Sequence, residues 1–251
     1  MKKNNMKKVI LKRSLGLVAG LLAVLTIALN LSPVLAKAML DVPVIGDVVN
    51  VLTFGRFQYV EGGFSADIKT PGIEGLVDKE LEKLLNDELR DKGEAVKNKF
   101  FEEVEELRKL SGNGDAKFNV TMDYAVRTND ENYLSLDVIL TTTGASAAEA
   151  HTFYNIDKKT GKIITLDELV DKKAVKEYIL EEMARRNAEE DGTFFIYNNG
   201  VVDDNTKKAL NNIEKFYIND KGEVVVVFDE YEVAAGVQGS PEFILPKSLM
   251  K

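Results

Sequence analysis

The sequence predicts an α+β protein: an N-terminal membrane helix followed by two small α+β lobes with antiparallel sheets and packed helices. Three observations carry this reading. A run without charge, Leu15 to Leu31, follows a basic N-terminus. From Ile73 to Leu110, apolar residues recur at i, i+3 and i+4, the period of a helix with one buried face. On both sides of that stretch, short β-branched and aromatic runs are separated by Gly, Asn, Asp and Pro, the pattern of strands and turns.

Composition narrows the classes of function. The 251 residues are 45% apolar and 8% aromatic, enough for a core in one or two domains. There is no cysteine and a single histidine. Thiol catalysis, cysteine-ligated zinc, iron–sulfur clusters and multi-histidine metal sites are thereby excluded.

Ahead of the apolar run stand Lys2, Lys3, Lys7, Lys8, Lys12 and Arg13, with no acid among them. The run's 17 residues would span about 25 Å as a helix, against a hydrocarbon core of about 30 Å. The basic flank places Met1–Ser14 in the cytoplasm and everything beyond the helix outside. We read residues 15–36 as a single-pass anchor in the cell membrane. The alternative is a signal peptide and a secreted product, because Ala36 and Ala38 end two small-x-small sequences of the kind signal peptidase reads. All 41 acidic residues but only 27 of the 33 basic ones follow Ser14, so the outer part carries a net charge of −14. Such a surface attracts a cationic partner and speeds its encounter; it does not suit nucleic acid.

Beyond the anchor, residues 37–54 read as an apolar juxtamembrane segment, helical or extended. The first lobe is expected over 55–148. It opens with a strand from Gly55 to Ile68, a turn at Pro71-Gly72, and then the long helical region, one helix or two either side of Gly93. Its glutamates, including Glu102, Glu103, Glu105 and Glu106, are expected on the solvated face. A hairpin follows, Ala116–Thr128 and Asn132–Thr143, and the small, polar stretch Thr141–Ala148 is expected to cross to the second lobe.

The second lobe is expected over 149–251. His151–Ile156 and Lys162–Thr165 form a hairpin, and Thr165-Leu-Asp-Glu168 has the capping-box pattern that starts a short helix. Ala174–Glu190 is amphipathic, with Val175, Ile179 and Met183 inward. A short helix begins at Asp203. Phe216–Ile218 turns at Asn219–Gly222 into the run Val224–Phe228, whose β-branched, wholly apolar character marks a strand buried on both faces. The chain then enters the glycine-containing loop Ala234–Pro241 and returns as Glu242–Leu245, which Pro246 ends. A loop set on a rigid strand is a good surface to offer a partner.

Candidate chemistry is sparse. His151 lacks a nucleophile or acid tied to it by spacing. Asp157 and Asp203-Asp204 lack the spacing of an EF-hand loop. Strand alternation would split Asp229, Glu230 and Glu232 between faces, which is unlike a glycosidase pair, and they are expected to form an acidic rim. No phosphate-binding, dinucleotide or hydrolase fingerprint occurs. No catalytic residue, metal site or cofactor is assigned.

Three stretches resemble one family. Ala28–Met39 with Val42–Phe54 is similar to the membrane and juxtamembrane segment of RsiV-type anti-sigma factors. Pro71-Gly-Ile-Glu-Gly-Leu-Val77 fits the domain that follows there. Phe153–Leu169 and Phe228-x-x-Tyr-Glu-Val-Ala-x-Gly-x-x-Gly-x-Pro-Glu-Phe243 look like the signature of the family's C-terminal domain. The two domains also occur as the non-catalytic region of PdaC-type peptidoglycan deacetylases. The resemblance implies a non-enzymatic, membrane-anchored sensor that binds lysozyme, a cationic wall hydrolase, and is able to inhibit it. Signal peptidase would then cut near Ala36 and Ala38, and an extracytoplasmic-function sigma factor would be released. The implied contact residues are Tyr231, Val233, Ala234, Ala235, Gly236, Val237, Gln238, Gly239, Ser240 and Pro241. Two departures accompany the resemblance: Met1–Ser14 is shorter than the family's cytoplasmic segment, and the family often has proline in place of Ala235 and a bulkier residue near Val237. The alternative from another class is an anchored or secreted envelope module that binds peptidoglycan without signalling.

Overall fold

A computed structural model describes residues 49–111, 116–189, 194–196 and 201–251. The expected cytoplasmic segment, the membrane helix, the cleavage site at Ala36 and Ala38, and most of the juxtamembrane segment lie outside these residues. Among the described residues no helix is long and apolar enough to cross a membrane. The described residues divide into two compact units, one of those up to residue 124 together with 138–148, the other of those in 125–137 and 149–251.

The first unit starts with β1 (Asn50–Glu61) and β2 (Phe64–Glu74), an antiparallel pair. The expected single strand from Gly55 to Ile68 is thus a hairpin. It reverses at Gly62 and Gly63, both at positive φ (58° and 90°), which glycine adopts without a steric penalty. The turn expected at Pro71-Gly72 is instead part of β2. Its parallel pairing to the next strand runs only from Phe64 to Ile68, so Pro71 lies beyond the stretch where a missing N–H would break that ladder.

Helix α1 (Lys79–Ser111) is continuous through Gly93. Asp78 caps it, its Oδ1 accepting the N–H groups of Glu80 at 2.9 Å and Leu81 at 3.0 Å. Leu81, Leu85, Leu89, Val96, Phe100, Val104 and Leu107 form its buried stripe. The side-chain amide of Asn86 brackets the backbone of Ile73, accepting from its N–H at 2.7 Å and donating to its carbonyl at 2.8 Å. One glutamate departs from the expected solvated face. Glu103 is 1% exposed beside Lys99 at 3.3 Å, and burial pushes its carboxyl above the usual range.

The helix returns the chain so that β3 (Phe118–Asn129) pairs parallel to β2. The sheet is therefore mixed rather than antiparallel throughout, since parallel neighbours need a crossover of this kind. In the first unit the strand order is β1-β2-β3-β4, with the later part of β4 (Tyr133–Thr143). The expected crossing loop at Thr141–Ala148 is a tight connection, because β4 runs to Thr143 and β5 (Ala147–Asp157) starts at Ala147.

The second unit takes the remaining parts of β3, β4 and β5, in that order, with β6 (Lys162–Ile163) at the edge. Helix α2 (Leu166–Leu169) begins as expected, with the Glu168 carboxylate accepting the Thr165 N–H at 2.8 Å. Helix α3 (Lys172–Glu189) buries Val175, Ile179 and Met183, while Asp203 caps α4 (Asp204–Asn211). A second sheet has the order β7 (Phe216–Ile218), β8 (Val224–Val227), β9 (Glu242–Ile244), antiparallel throughout. All four residues of β8 are buried, so the central strand is covered on both faces. Phe194, Phe228, Val233, Ala234 and Phe243 join α3 in this core.

Phe100 is fully buried and meets Tyr59 edge-on at 5.4 Å and Phe118 in a stack at 6.1 Å. Phe100→Ala is expected to cost about 3–5 kcal/mol of stability, read by urea unfolding, through lost burial and the cavity left behind.

Candidate functional site: a loop seated on a buried charge network

Within the second unit, alternate residues of β5 share a face, which places Glu149, His151 and Phe153 together. Asp137 of β4 has no exposed surface. Its carboxylate accepts from Arg127 of β3, at 3.0 Å from Nε and 2.8 Å from Nη2, and from His151 Nδ1 at 3.0 Å to each oxygen. The other ring nitrogen of His151 lies 3.1 Å from Glu149 Oε1. Both nitrogens thus face carboxylates, which only an imidazolium can satisfy with two donors. Burial works against that charge, but Asp137 and Glu149 outweigh it and push the histidine up to about 9. The His151 ring stacks on Phe153, and Phe153 on Tyr217, each with centroids 5.7 Å apart. The Arg127 guanidinium covers Tyr217 at 5.1 Å, while burial and the acceptor Glu242 push the tyrosine up to about 12.

This network fastens the loop that leaves β8. The backbone N–H of His151 donates to Asp229 Oδ1 at 2.9 Å, and Lys215 donates to the same carboxylate. Glu232 Oε2 accepts the Asp229 N–H at 2.8 Å, and Glu232 N–H donates back to the Asp229 carbonyl at 3.1 Å. Glu230 N–H reaches the Glu149 carbonyl at 3.2 Å. The expected acidic rim is therefore corrected at Asp229, which is buried, while Glu230 and Glu232 are half-buried. Asp229 is 7% exposed, and burial raises the Glu232 carboxyl, with Lys215 opposing and Asp229 reinforcing. Asp229 is buried where it meets Lys215 under the loop, and Glu232 is half-buried where its carboxylate takes the Asp229 N–H.

From there the loop is set by its backbone. Tyr231 takes φ 70°, the one non-glycine residue at positive φ among those described, and its ring lies against Gly236. A Cβ at Gly236 would stand 2.6 Å from that ring. Gly236–Gln238 form a 3₁₀ turn, closed by Gln238 N–H to Ala235 at 2.9 Å and Gly239 N–H to Gly236 at 3.0 Å. Gly239, at φ 61°, turns the chain back to Pro241, whose carbonyl accepts from Phe228 N–H at 3.1 Å.

Of the ten residues expected to meet a partner, Val237 is 83% exposed and Tyr231 48%. Ala235, Gly236, Gln238, Gly239 and Ser240 are half-buried, the Ser240 hydroxyl oxygen being itself enclosed. Val233, Ala234 and Pro241 are buried; they carry the loop rather than face outward. Arg127, Asp137, Glu149 and Lys215 were not singled out from the sequence. One signal was present: the β7–β8 register pairs Phe216 with Val226, which makes Lys215 a diagonal neighbour of Asp229.

The arrangement is built for holding rather than for proton transfer. With both ring nitrogens donating to carboxylates, His151 has no lone pair to offer a substrate. No cluster of three potential metal ligands occurs among the described residues.

Residues 60–142 match the family described as "Deacetylase PdaC", and residues 164–248 the family described as "Protein of unknown function (DUF3298)". Each of these two matches spans about a third of the chain. It is 29% identical over 231 residues to the anti-sigma-V factor RsiV of Bacillus subtilis (strain 168), covering 90% of this chain and 78% of that one. The resemblance to RsiV-type proteins, first drawn from short motifs, is shown over most of the chain. Among solved structures, a DUF3298-family protein of Bacteroides fragilis NCTC 9343 shares the fold at a TM-score of 0.55 and 16% identity, covering 81% of this chain and 94% of that one. A DUF3298-family protein of Pseudomonas aeruginosa PAO1 covers 84% of this chain and 96% of its own at 17% identity and a TM-score of 0.45.

The histidine gives a pH test. Its folded value of about 9 lies above the unfolded value of about 6.5, so its contribution is complete below pH 6.5 and is lost as pH rises through 9. That contribution is about 3 kcal/mol. Because the chain has one histidine, NMR titration of its ring reads the value directly. Urea unfolding at pH 6.5 and 9.5 should show the loss in the native protein and not in His151→Gln. A ring titrating near 6.5 would contradict the network.

Proposed function

We propose that this chain is a membrane-anchored, extracytoplasmic sensor of the RsiV type, non-enzymatic, whose DUF3298 domain binds lysozyme or another cationic wall hydrolase through the Tyr231–Ser240 loop. On this reading, residues 15–36 anchor the chain in the cell membrane. Occupancy of the loop licenses signal peptidase to cut near Ala36 and Ala38, and the outcome is control of an extracytoplasmic-function sigma factor. The observation that carries the reading is Val237, 83% exposed at the tip of a loop whose base is locked by buried charges. A preorganised apolar tip loses little entropy on binding, and it can fill a cleft that an adaptable loop would fill poorly. The net charge of −14 beyond Ser14 supplies long-range attraction for a cationic enzyme. Similarity to an anti-sigma factor over 90% of the chain supports the signalling role.

Titration of the full chain in detergent against lysozyme, following heat and residual lysozyme activity at two salt concentrations, tests this. Micromolar or tighter binding with inhibition is expected, weakening as salt rises. Val237→Asp should reduce affinity roughly tenfold or more without changing the fold. Absence of binding at low salt would remove the lysozyme reading.

A further inference from the structure

The sheet of the first unit ends on an uncovered strand. β1 stands first in the strand order, and among the described residues no strand pairs with its outer edge. The two-residue turn at Gly62-Gly63 makes Glu61 and Phe64 a hydrogen-bonded pair. By alternation, the N–H and C=O groups of Arg56, Gln58 and Val60 point away from β2. Strand edges are ordinarily blunted by lysine, proline, a bulge or a short length. β1 has 12 residues, with neither lysine nor proline, and its bulge falls between Thr53 and Gly55. Gly55–Glu61 is thus a straight run that offers a row of backbone donors and acceptors. Val60, 86% exposed, stands on one side of that edge. On the other side Phe57 and Tyr59 lean on α1, where Phe101 meets both rings, at 5.8 and 5.3 Å, and remains 39% exposed.

Two features say what suits this edge. The first is the strand itself. Gln58 is the middle residue of Gly55–Glu61, so two copies laid antiparallel across a two-fold axis at Gln58 match end to end. That register sets Arg56 opposite Val60 of the other copy and Phe57 opposite its Tyr59. No like charges face each other, the arginine stem covers the exposed valine, and about six backbone hydrogen bonds form. The second feature is α1. Glu94, Lys97, Phe101, Glu105 and Arg108 recur at helical spacing and make one stripe. Lys97 over the Phe57 ring at 5.4 Å and Arg108 on Glu61 at 3.2 Å place that stripe along β1. Set antiparallel about Phe101, the stripe is its own complement: Lys97 meets Glu105 of the other copy, and Glu94 meets its Arg108. The in-chain pairs Lys97–Glu94 and Lys109–Glu105 lie at the surface and hold these side chains only weakly. Phe101 touches the residues on both sides of Gln58, so the centre of the stripe and the centre of the strand fall at one level. A foreign extended segment could satisfy the strand edge, but it would leave the symmetry of the stripe unexplained. We propose that β1 pairs antiparallel with β1 of a second copy of this chain, with Gln58 at the two-fold axis and the two α1 helices side by side. This surface lies in the first unit alone and is independent of the lysozyme reading, which concerns the other unit.

The test is the molar mass of the full chain in detergent, followed by sedimentation equilibrium over a concentration series. A reversible dimer is expected. The chain has no cysteine, so single introduced cysteines report the register. A hydrogen-bonded antiparallel pair sets its Cα atoms about 5.5 Å apart, within disulfide reach. Gln58→Cys should therefore cross-link to itself under mild oxidation. Val60→Cys, roughly 14 Å from its counterpart along the strands, should not, but should link to Arg56→Cys when the two variants are mixed. Lys97→Glu alters a surface side chain, so it should fold, as circular dichroism would verify, and should weaken the dimer roughly tenfold. Adding Glu105→Lys should restore it, which neither a folding defect nor a dimer held elsewhere on the chain would do. A monomer at every concentration would overturn the proposal, as would a dimer in which Gln58→Cys fails to cross-link or Val60→Cys cross-links to itself as readily. A dimer indifferent to Lys97→Glu, or not restored by the second substitution, would overturn it as well.

Discussion

Asp137 has none of its surface in water, and the centre of the second unit is arranged around that constraint. Removing a carboxylate from solvent costs several kcal/mol unless charges and donors replace the water. Here they come from two neighbouring strands: Arg127 on β3 and His151 on β5. Meeting the demand of Asp137 fixes the histidine as a two-sided donor. That in turn draws Glu149 to its far nitrogen and sets the ring for stacking on Phe153. The backbone of the same histidine then holds Asp229, the first residue of the loop, so one buried carboxylate is connected to another through a single residue. Loss of one partner would leave an uncompensated charge inside, which is why such networks tend to fail as a whole rather than piecemeal.

The two carboxylates nearest the loop illustrate the same physics with a different answer. Lys215 pairs with Asp229 and acts on Glu232 only through space, so the group is one positive charge short. The deficit is spread by backbone N–H donors, one to each carboxylate, which stabilise negative charge without adding a side chain. This economy lets the loop leave a fully buried strand without an open, solvated base. It also explains how Tyr231 can be held at positive φ: the hydrogen bonds on both sides of it are made by Asp229, Glu230 and Glu232, and the backbone between them has little choice.

Most of the second unit was legible in the sequence because local signals and burial agree there. The run Val224–Phe228, the Asn219–Gly222 turn, the capping at Glu168 and Asp203, and the α3 stripe all point the same way. The first unit was harder where a strong signal was overruled by its surroundings. Pro71-Gly72 has the chemistry of a turn but lies in a strand because no parallel neighbour needs its N–H. Gly62-Gly63 is a turn hidden inside what alternates like one strand. The site was partly visible. Glycines and proline mark the loop, but the expectation of an acidic rim placed Asp229 at the surface because local pattern carries no information about Lys215, fourteen positions upstream of Asp229 and reached only across the hairpin. The change of core partway along the β3–β4 hairpin leaves no mark in sequence either, since a strand alternates the same way whichever helices cover it.

Because the loop's shape rests on Asp229, Glu232, the Tyr231 backbone and Gly239, the exposed side chain at its tip contributes little to holding it. Val237 can be exchanged for many other side chains without refolding anything beneath it. On the proposed reading of the loop as the contact surface, recognition and foldability are thereby separated at the level of individual codons. A lineage facing a changed adversary could explore new tips one substitution at a time, with each intermediate still a folded protein.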